Sequence, residues 1–261
     1  IAPRFKEMTS LGEMAQEMVS TIRYLTNMDR VVLYKFNEDY SGKVIAEAKA
    51  EDMESYQDLY FPASDIPKQA RELYKTNWVR LTPDTELPPA RLVPSVEESG
   101  RERLDLTRSL LRTFSPIHLQ YIRNQGLRAS FSISLVTDGE LYGLISCHHR
   151  EACYIPQDVR LQCENLSQLF SWHLLAKEEE IAKQKKFVTD EAVDAMLDKI
   201  GPANPISRVV KSGERAFLDA LNSSGFVYYS QYETITLGST LPIDLIKDIF
   251  SKASSEGGFP Y

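Results

Sequence analysis

Leu11, Met14, Met18, Ile22 and Leu25 recur at intervals of three and four, which lays an apolar stripe along one side of a helix. Ser10 and Glu13 stand where a capping box would open that helix. The pattern then changes. Val31–Phe36 is a run of β-branched and aromatic residues, which predicts a strand. Ser41-Gly42 reads as a turn into a second strand over Lys43–Lys49. A polar stretch leads to Phe61-Pro62-Ala63-Ser64-Asp65-Ile66-Pro67, and Pro67 suits the first turn of a helix running to about Thr76. Thr82–Gly100 is proline-rich and charged, a surface loop by composition, and Leu104–Leu111 reads as a short helix.

Ser115 can cap a further helix with Pro116 at its first position and Gly126 just past its end. Arg128–Val136 and Glu140–His148 read as a hairpin joined by Asp138-Gly139, a type I′ turn signal. From Pro156 the period is helical again, with Val159, Cys163, Leu166, Phe170, Leu174 and Ile181 on one face. Glu178–Lys186 is charged, and the pattern runs on towards Ile200 before a break at Gly201-Pro202. A helix of that length bridges domains or pairs with a copy of itself. Phe226–Ser230 and Glu233–Leu237 look like a second hairpin and Pro242–Ala253 like a helix, so the remainder is a second α/β unit. The order of elements predicts an α+β fold, an antiparallel sheet with helices on its faces.

Composition narrows the function classes. The 261 residues are 43% hydrophobic and 26% charged, enough for one or two cores. The net charge is -7 with a pI of about 5.3 and no basic stripe, which argues against nucleic acid as a partner. No apolar run is long enough to span a bilayer, and no signal peptide opens the chain. Cys147, Cys153 and Cys163 form no disulfide framework, which fits a reducing cytoplasm. The abrupt start at Ile1 and the stop at Tyr261 suggest a piece of a longer protein.

Candidate chemistry concentrates between Ser115 and Arg150. Side chains alternate across a strand, so Ser130, Ser132 and Ser134 share one face and Phe131, Ile133 and Leu135 the other. The serine face is either a solvated surface or the edge of a pocket. His118 and Tyr121, three apart on a helix, face the same way, as core or surface residues or as pocket walls. Arg80 and Arg112 are ordinary surface arginines or bidentate holders of a carboxylate. Asp65 either caps the helix that follows it or turns its backbone carbonyl into a cavity. His148 and His149 are adjacent on a strand and diverge, so they do not share a metal ion, and no paired C-x-x-C is present. There is no nucleophile elbow, P-loop or H-E-x-x-H, hence no sign of an enzyme active site in this segment. Converging, these groups would make a hollow suited to a flat, largely apolar ligand with charged arms.

Three segments in order, Phe61–Pro67, Ser115–Tyr121 and Leu144–His149, resemble the photosensory module of bacterial phytochromes, specifically its GAF domain. The region after the long helix resembles the start of a PHY domain. The resemblance implies a GAF domain over residues 1–175, then a linker helix and a partial, GAF-like PHY domain over 176–261. It implies a red/far-red photoreceptor that binds a linear tetrapyrrole (a bilin, here biliverdin), in which light isomerises a double bond and turns the terminal ring. It further implies a homodimer and an output domain, such as a histidine kinase or diguanylate cyclase, elsewhere in the polypeptide. Residue by residue, Arg80 and Arg112 match propionate-holding positions with Tyr74 nearby, and Ser130 and Ser132 match those that bond the other propionate. The Asp65 carbonyl and His118 match groups near the pyrrole nitrogens. Tyr34, Phe61 and Tyr121 match the surroundings of the terminal ring, and His148 its carbonyl partner. Ser115, which opens the second segment, completes the cofactor-binding set. Ile117 stands where plant and many cyanobacterial phytochromes carry the pigment-binding cysteine, and isoleucine forms no thioether. Attachment is therefore expected at a cysteine upstream of this segment. Gln125 stands in place of a methionine common in the motif. The competing readings are a GAF module for another small ligand, such as a cyclic nucleotide, and a pigment-free dimerisation scaffold.

Overall fold

The computed structural model describes residues 8, 10–91, 93–94, 100, 105–109, 113–199, 206–229 and 233–255. The chain divides into two compact units, residues 1–178 and 179–261.

The first unit opens with α1 (Leu11–Thr26), and both halves of the expected capping box form between Ser10 and Glu13. Six strands follow in a single antiparallel sheet: β1 (Arg30–Phe36), β2 (Gly42–Lys49), β3 (Tyr60–Phe61), β4 (Val79–Thr82), β5 (Ala129–Thr137) and β6 (Glu140–His149). Their order in space is β3-β2-β1-β6-β5-β4. The short β3 and β4 were not foreseen. Two helices lie in the connections, α2 (Lys68–Thr76) and α3 (Pro116–Asn124). Pro67 is the N-cap of α2, one position earlier than expected, and no side chain caps that helix. Pro116 holds the first turn of α3 as foreseen, with Ser115 at the N-cap but without a capping hydrogen bond. The β5–β6 hairpin turns through Asp138 and Gly139, whose φ values of 51° and 80° are those a type I′ turn demands. Of the expected helix over Leu104–Leu111, residues 105–109 form a turn closed by the Ser109 N–H on the Leu106 carbonyl at 2.9 Å; the rest lies outside the described residues.

One face of the sheet carries the main core. Val31, Leu33, Phe131, Ile133, Ile145 and Cys147 pack there against Met14, Met18 and Ile22 of α1 and against Cys163, Phe170 and Leu174. The last three come from α4 (Gln157–Leu197), the long helix, within which the division between the units falls. The opposite face carries a smaller cluster of Val32, Tyr34, Phe36, Val44 and Leu144, packed with Tyr56, Phe61, Ile66 and Tyr74.

The second unit continues through α5 (Ile206–Ser212), α6 (Glu214–Ala220), the hairpin β7 (Gly225–Tyr229) and β8 (Thr234–Gly238), and α7 (Ile243–Ser255). Val210, Ile235 and Leu237 form its core, with Phe217 edge-on to Phe226 at 4.9 Å. No helix among the described residues is long and apolar enough to cross a membrane.

Candidate functional site

The strand register builds the site row by row. Arg30 stands beside His148, His148 beside Ser130, and Ser130 beside Thr82. The next row on the same face reads Glu47, Val32, Ser146, Ser132, Arg80. The row after that reads Val44, Tyr34, Leu144, Ser134. A slip of register between Leu33 and Tyr34 skips Ile45, so Val44 stands opposite Tyr34 and comes to this face. Helices α2 and α3 cover the rows, with Ile66, Tyr74, His118, Tyr121 and Ile122 pointing back at the sheet.

Between sheet and helices lies a cavity with about 760 Å³ of unfilled space, including its open mouth. Its walls include nine of the residues singled out in the sequence: Tyr34, Phe61, Asp65, Tyr74, His118, Tyr121, Ser130, Ser132 and His148. Ser130 and Ser132 are only 6% and 8% exposed, which overturns the reading of their face as solvated. The third serine of that face, Ser134, donates instead to the Tyr74 carbonyl at 2.8 Å and ties β5 to the end of α2. Arg80 does not line the cavity. It sits opposite Ser132 with its guanidinium 4.5 Å from the Phe114 ring centre, and Phe114 in turn stacks on His118 at 5.7 Å. Ser115 is exposed at the start of α3, also outside the lining. Arg112 lies outside the described residues.

Asp65 does not cap α2. The Tyr121 hydroxyl lies 3.4 Å from its carboxylate, at the long limit of a hydrogen bond. Sequence reasoning passed over Val32, Val44, Tyr56 and Ile122 in the walls, and gave no role to Ile66, Leu144 and Ser146 of the quoted segments or to Gln125. Ser146 was findable, because it follows Leu144-Ile145 in the hairpin and must share a face with His148. It also passed over a buried ion pair on this face. Arg30 and Glu47 meet at 3.2 Å with 3% and 4% exposure, and the Arg30 guanidinium lies 3.7 Å from the Tyr56 ring centre. A pair so enclosed needs further partners to offset desolvation. Glu47 has the Tyr56 N–H at 3.1 Å and the Ser55 hydroxyl at 2.6 Å, and Arg30 reaches the Glu54 carbonyl.

Burial keeps four of the cavity's titratable walls uncharged. Burial, with the charges of Arg30 and His118 adding to it, pulls His148 down to about 4. Burial and then Arg80 lower His118 as well. Burial and the Asp65 charge push Tyr34 and Tyr121 each up to about 12. Near neutral pH these four are therefore two neutral imidazoles and two phenols. Ser146 and His148 Nε2 share a hydrogen bond at 3.1 Å, while His148 Nδ1 and the Tyr34 hydroxyl are buried without a partner among the described residues. Such groups cost free energy unless something supplies the missing hydrogen bonds. His149 points the other way, its Nδ1 2.9 Å from Asp29. Among the described residues no three His, Cys, Asp or Glu side chains cluster as a metal site would need.

A GAF domain model matches residues 10–174, so this chain belongs to the GAF domain family. The proteins it is similar to are phytochromes. It is 37% identical over 231 residues to cyanobacterial phytochrome B of Nostoc sp., covering 88% of this chain and 31% of that protein. A crystal structure of a bacteriophytochrome from R. palustris superposes with a TM-score of 0.81 at 32% identity, covering 97% of this chain and 51% of that one. The photosensory core module of a Stigmatella aurantiaca phytochrome gives 0.78 at 35% identity, covering 99% and 51%. The chain thus spans less than a third of the curated relatives' length.

Proposed function

We propose that this chain is the pigment-binding part of a red/far-red photoreceptor and that its ligand is a bilin, specifically biliverdin. One observation carries the reading: an aromatic-walled cavity in a chain similar to phytochromes holds two buried polar groups, Tyr34 Oη and His148 Nδ1, that lack partners. A conjugated, apolar molecule with carbonyl and N–H groups along its rim fits those walls and supplies what the two groups lack. Bound, the bilin would absorb red light and provide a double bond that isomerises.

The chain's own residues would do the rest. Ser130, Ser132 and Tyr74, with Arg80, Arg112 and Ser115, would hold the propionates. The Asp65 backbone and His118 would face the pyrrole nitrogens, and neutral His148 would bond the terminal carbonyl. Tyr34, Phe61 and Tyr121 would pack around the ring that turns. A change of packing there alters contacts at Asp65, whose carboxylate Tyr121 meets. In this reading residues 1–175 are the GAF domain and residues 176–261 the linker helix and the start of a PHY domain. The protein works in the cytoplasm, as its three free cysteines suit. It is a homodimer, as the exposed Leu161, Leu169 and Trp172 along α4 favour, and it signals to an output domain in the same polypeptide.

The test is to express the full-length protein in cells that make biliverdin and record its absorption before and after red light. A red-absorbing band that shifts reversibly is the expected result. A protein that emerges colourless, or that binds cyclic nucleotide in its place, overturns the reading.

A further inference from the structure

Gly42 is buried in the first position of β2, and its φ is not in the left-handed region, so backbone freedom does not explain it. What surrounds it does. Gly42 pairs with Phe36 on one side and Phe61 on the other, so the row across three strands reads Phe61, Gly42, Phe36. Two aromatic side chains stand on this face with nothing between them. The Tyr34 ring occupies that space. Tyr34 is opposite Val44, two residues along β2, and its ring leans diagonally over Gly42. There it lies edge-on to Phe36 at 5.1 Å and tilted to Phe61 at 6.1 Å. A Cβ built on Gly42 would overlap Cζ, Cε1 and Oη of that ring. A glycine inside a strand commonly marks such a close approach.

We infer that Gly42 is a positioning residue whose missing side chain is the seat of the Tyr34 ring and sets how far that ring stands into the cavity. With any larger residue the ring must leave the Phe36–Phe61 slot, and because β2 lies beneath it, the free direction is outward into the cavity. The unpartnered Tyr34 hydroxyl moves with it. Insofar as this concerns a pigment, it rests on the function proposed above; the steric coupling of residues 34 and 42 does not.

The test therefore has two arms, both in the full-length protein. Without pigment, melting temperatures are compared for wild type, Gly42→Ala, Tyr34→Ala and the double variant. Gly42→Ala is expected to lower the melting temperature by roughly 4 °C or more, and to lower it little or not at all when Tyr34 is already alanine. Equal losses in both backgrounds overturn the inference. If Gly42→Ala alone does not fold, a folded double variant upholds it and an unfolded one overturns it. A 19F resonance from fluorotyrosine at position 34 adds a direct reading: it should shift on Gly42→Ala, and a fixed resonance overturns the inference. In the second arm, biliverdin-loaded Gly42→Ala should keep its loading and lose photoproduct several-fold, and an unchanged yield counts against the seat as a determinant of ring rotation. Failure of wild type to bind pigment sinks the proposed function while leaving the first arm decisive.

Discussion

The two faces of one sheet differ more than any two elements of the first unit. On one face, the row Leu33, Ile145, Ile133, Val79 is at most 8% exposed and closed by two helices. On the other, the same four strands present Val32, Ser146, Ser132 and Arg80. Backbone pairing is common to both, so the contrast lies wholly in the side chains. That row of the first face is wholly apolar. The second keeps buried polar atoms unpartnered at Tyr34, Thr82 and His148 and encloses an ion pair. Unsatisfied groups destabilise a fold, so the cavity face is held in place by what the core face contributes. Stability and function are thereby divided across a single layer of backbone.

Adjacent residues of β5 give the sharpest way to break that division. Ile133, fully buried in the core, should cost about 2–5 kcal/mol on truncation to alanine. Ser132→Ala, one residue away on the cavity face, should cost less than about 1 kcal/mol yet weaken pigment loading. Denaturant unfolding of both variants reads the difference, and similar losses would show that the faces are not energetically distinct.

The next effect is smaller and concerns acid. Folded His148 is held near 4, against about 6.5 when unfolded. Between those values the unfolded chain takes up a proton that the folded protein refuses. Stability from this group therefore falls as pH drops from about 6.5 to about 4, by about 2 kcal/mol at pH 5. His148→Gln should remove that share, while the contributions of carboxylates and of His118 remain. Unfolding free energies at pH 7 and pH 5 for wild type and variant test it. An identical acid loss in the two proteins would mean that His148 is not buried as a neutral group.

Periodicity located both faces but not their fates. It placed Ser130, Ser132 and Ser134 together and opposite Phe131 and Ile133, as observed. Alternation reports which side chains share a face; whether that face is wet depends on α2, from a distant part of the chain, and on α3, which folds back over the strand it precedes. The missed β4 shows the same limit. Four residues with an arginine among them carry little strand signal, and Val79–Thr82 is a strand because it pairs with Ile133–Ser130, about fifty positions away. Gly42 was legible as a turn residue and proved to be a strand residue, since its reason for being glycine is a ring on the neighbouring strand. The phytochrome-like segments hold about half of the cavity wall, Ser146 included, and the rows of the sheet supply Val32 and Val44, which no local motif marks. The Arg30–Glu47 pair joins residues of neighbouring strands whose register no local pattern fixes.

The smallest expected effect belongs to the cavity's rim. Tyr121 is 41% exposed, and its hydroxyl reaches the exposed Asp65 carboxylate only at 3.4 Å. A bond so long and so wet contributes little, so Tyr121→Phe should change stability at pH 7 by less than about 0.5 kcal/mol. Alkali distinguishes the two proteins. The folded phenol is pushed up to about 12, above the roughly 10 of an unfolded tyrosine, so the folded state holds its proton through that window and stability falls as pH rises across it. Phenylalanine has no proton to hold, and the variant should lose less stability between pH 10 and 12 than wild type. In the loaded protein the same substitution should change photoproduct yield far more than melting temperature, because it frees Asp65 from a cavity wall without disturbing the core face. A melting temperature that falls in step with the yield would place Tyr121 with the structural residues and blur the division between the faces.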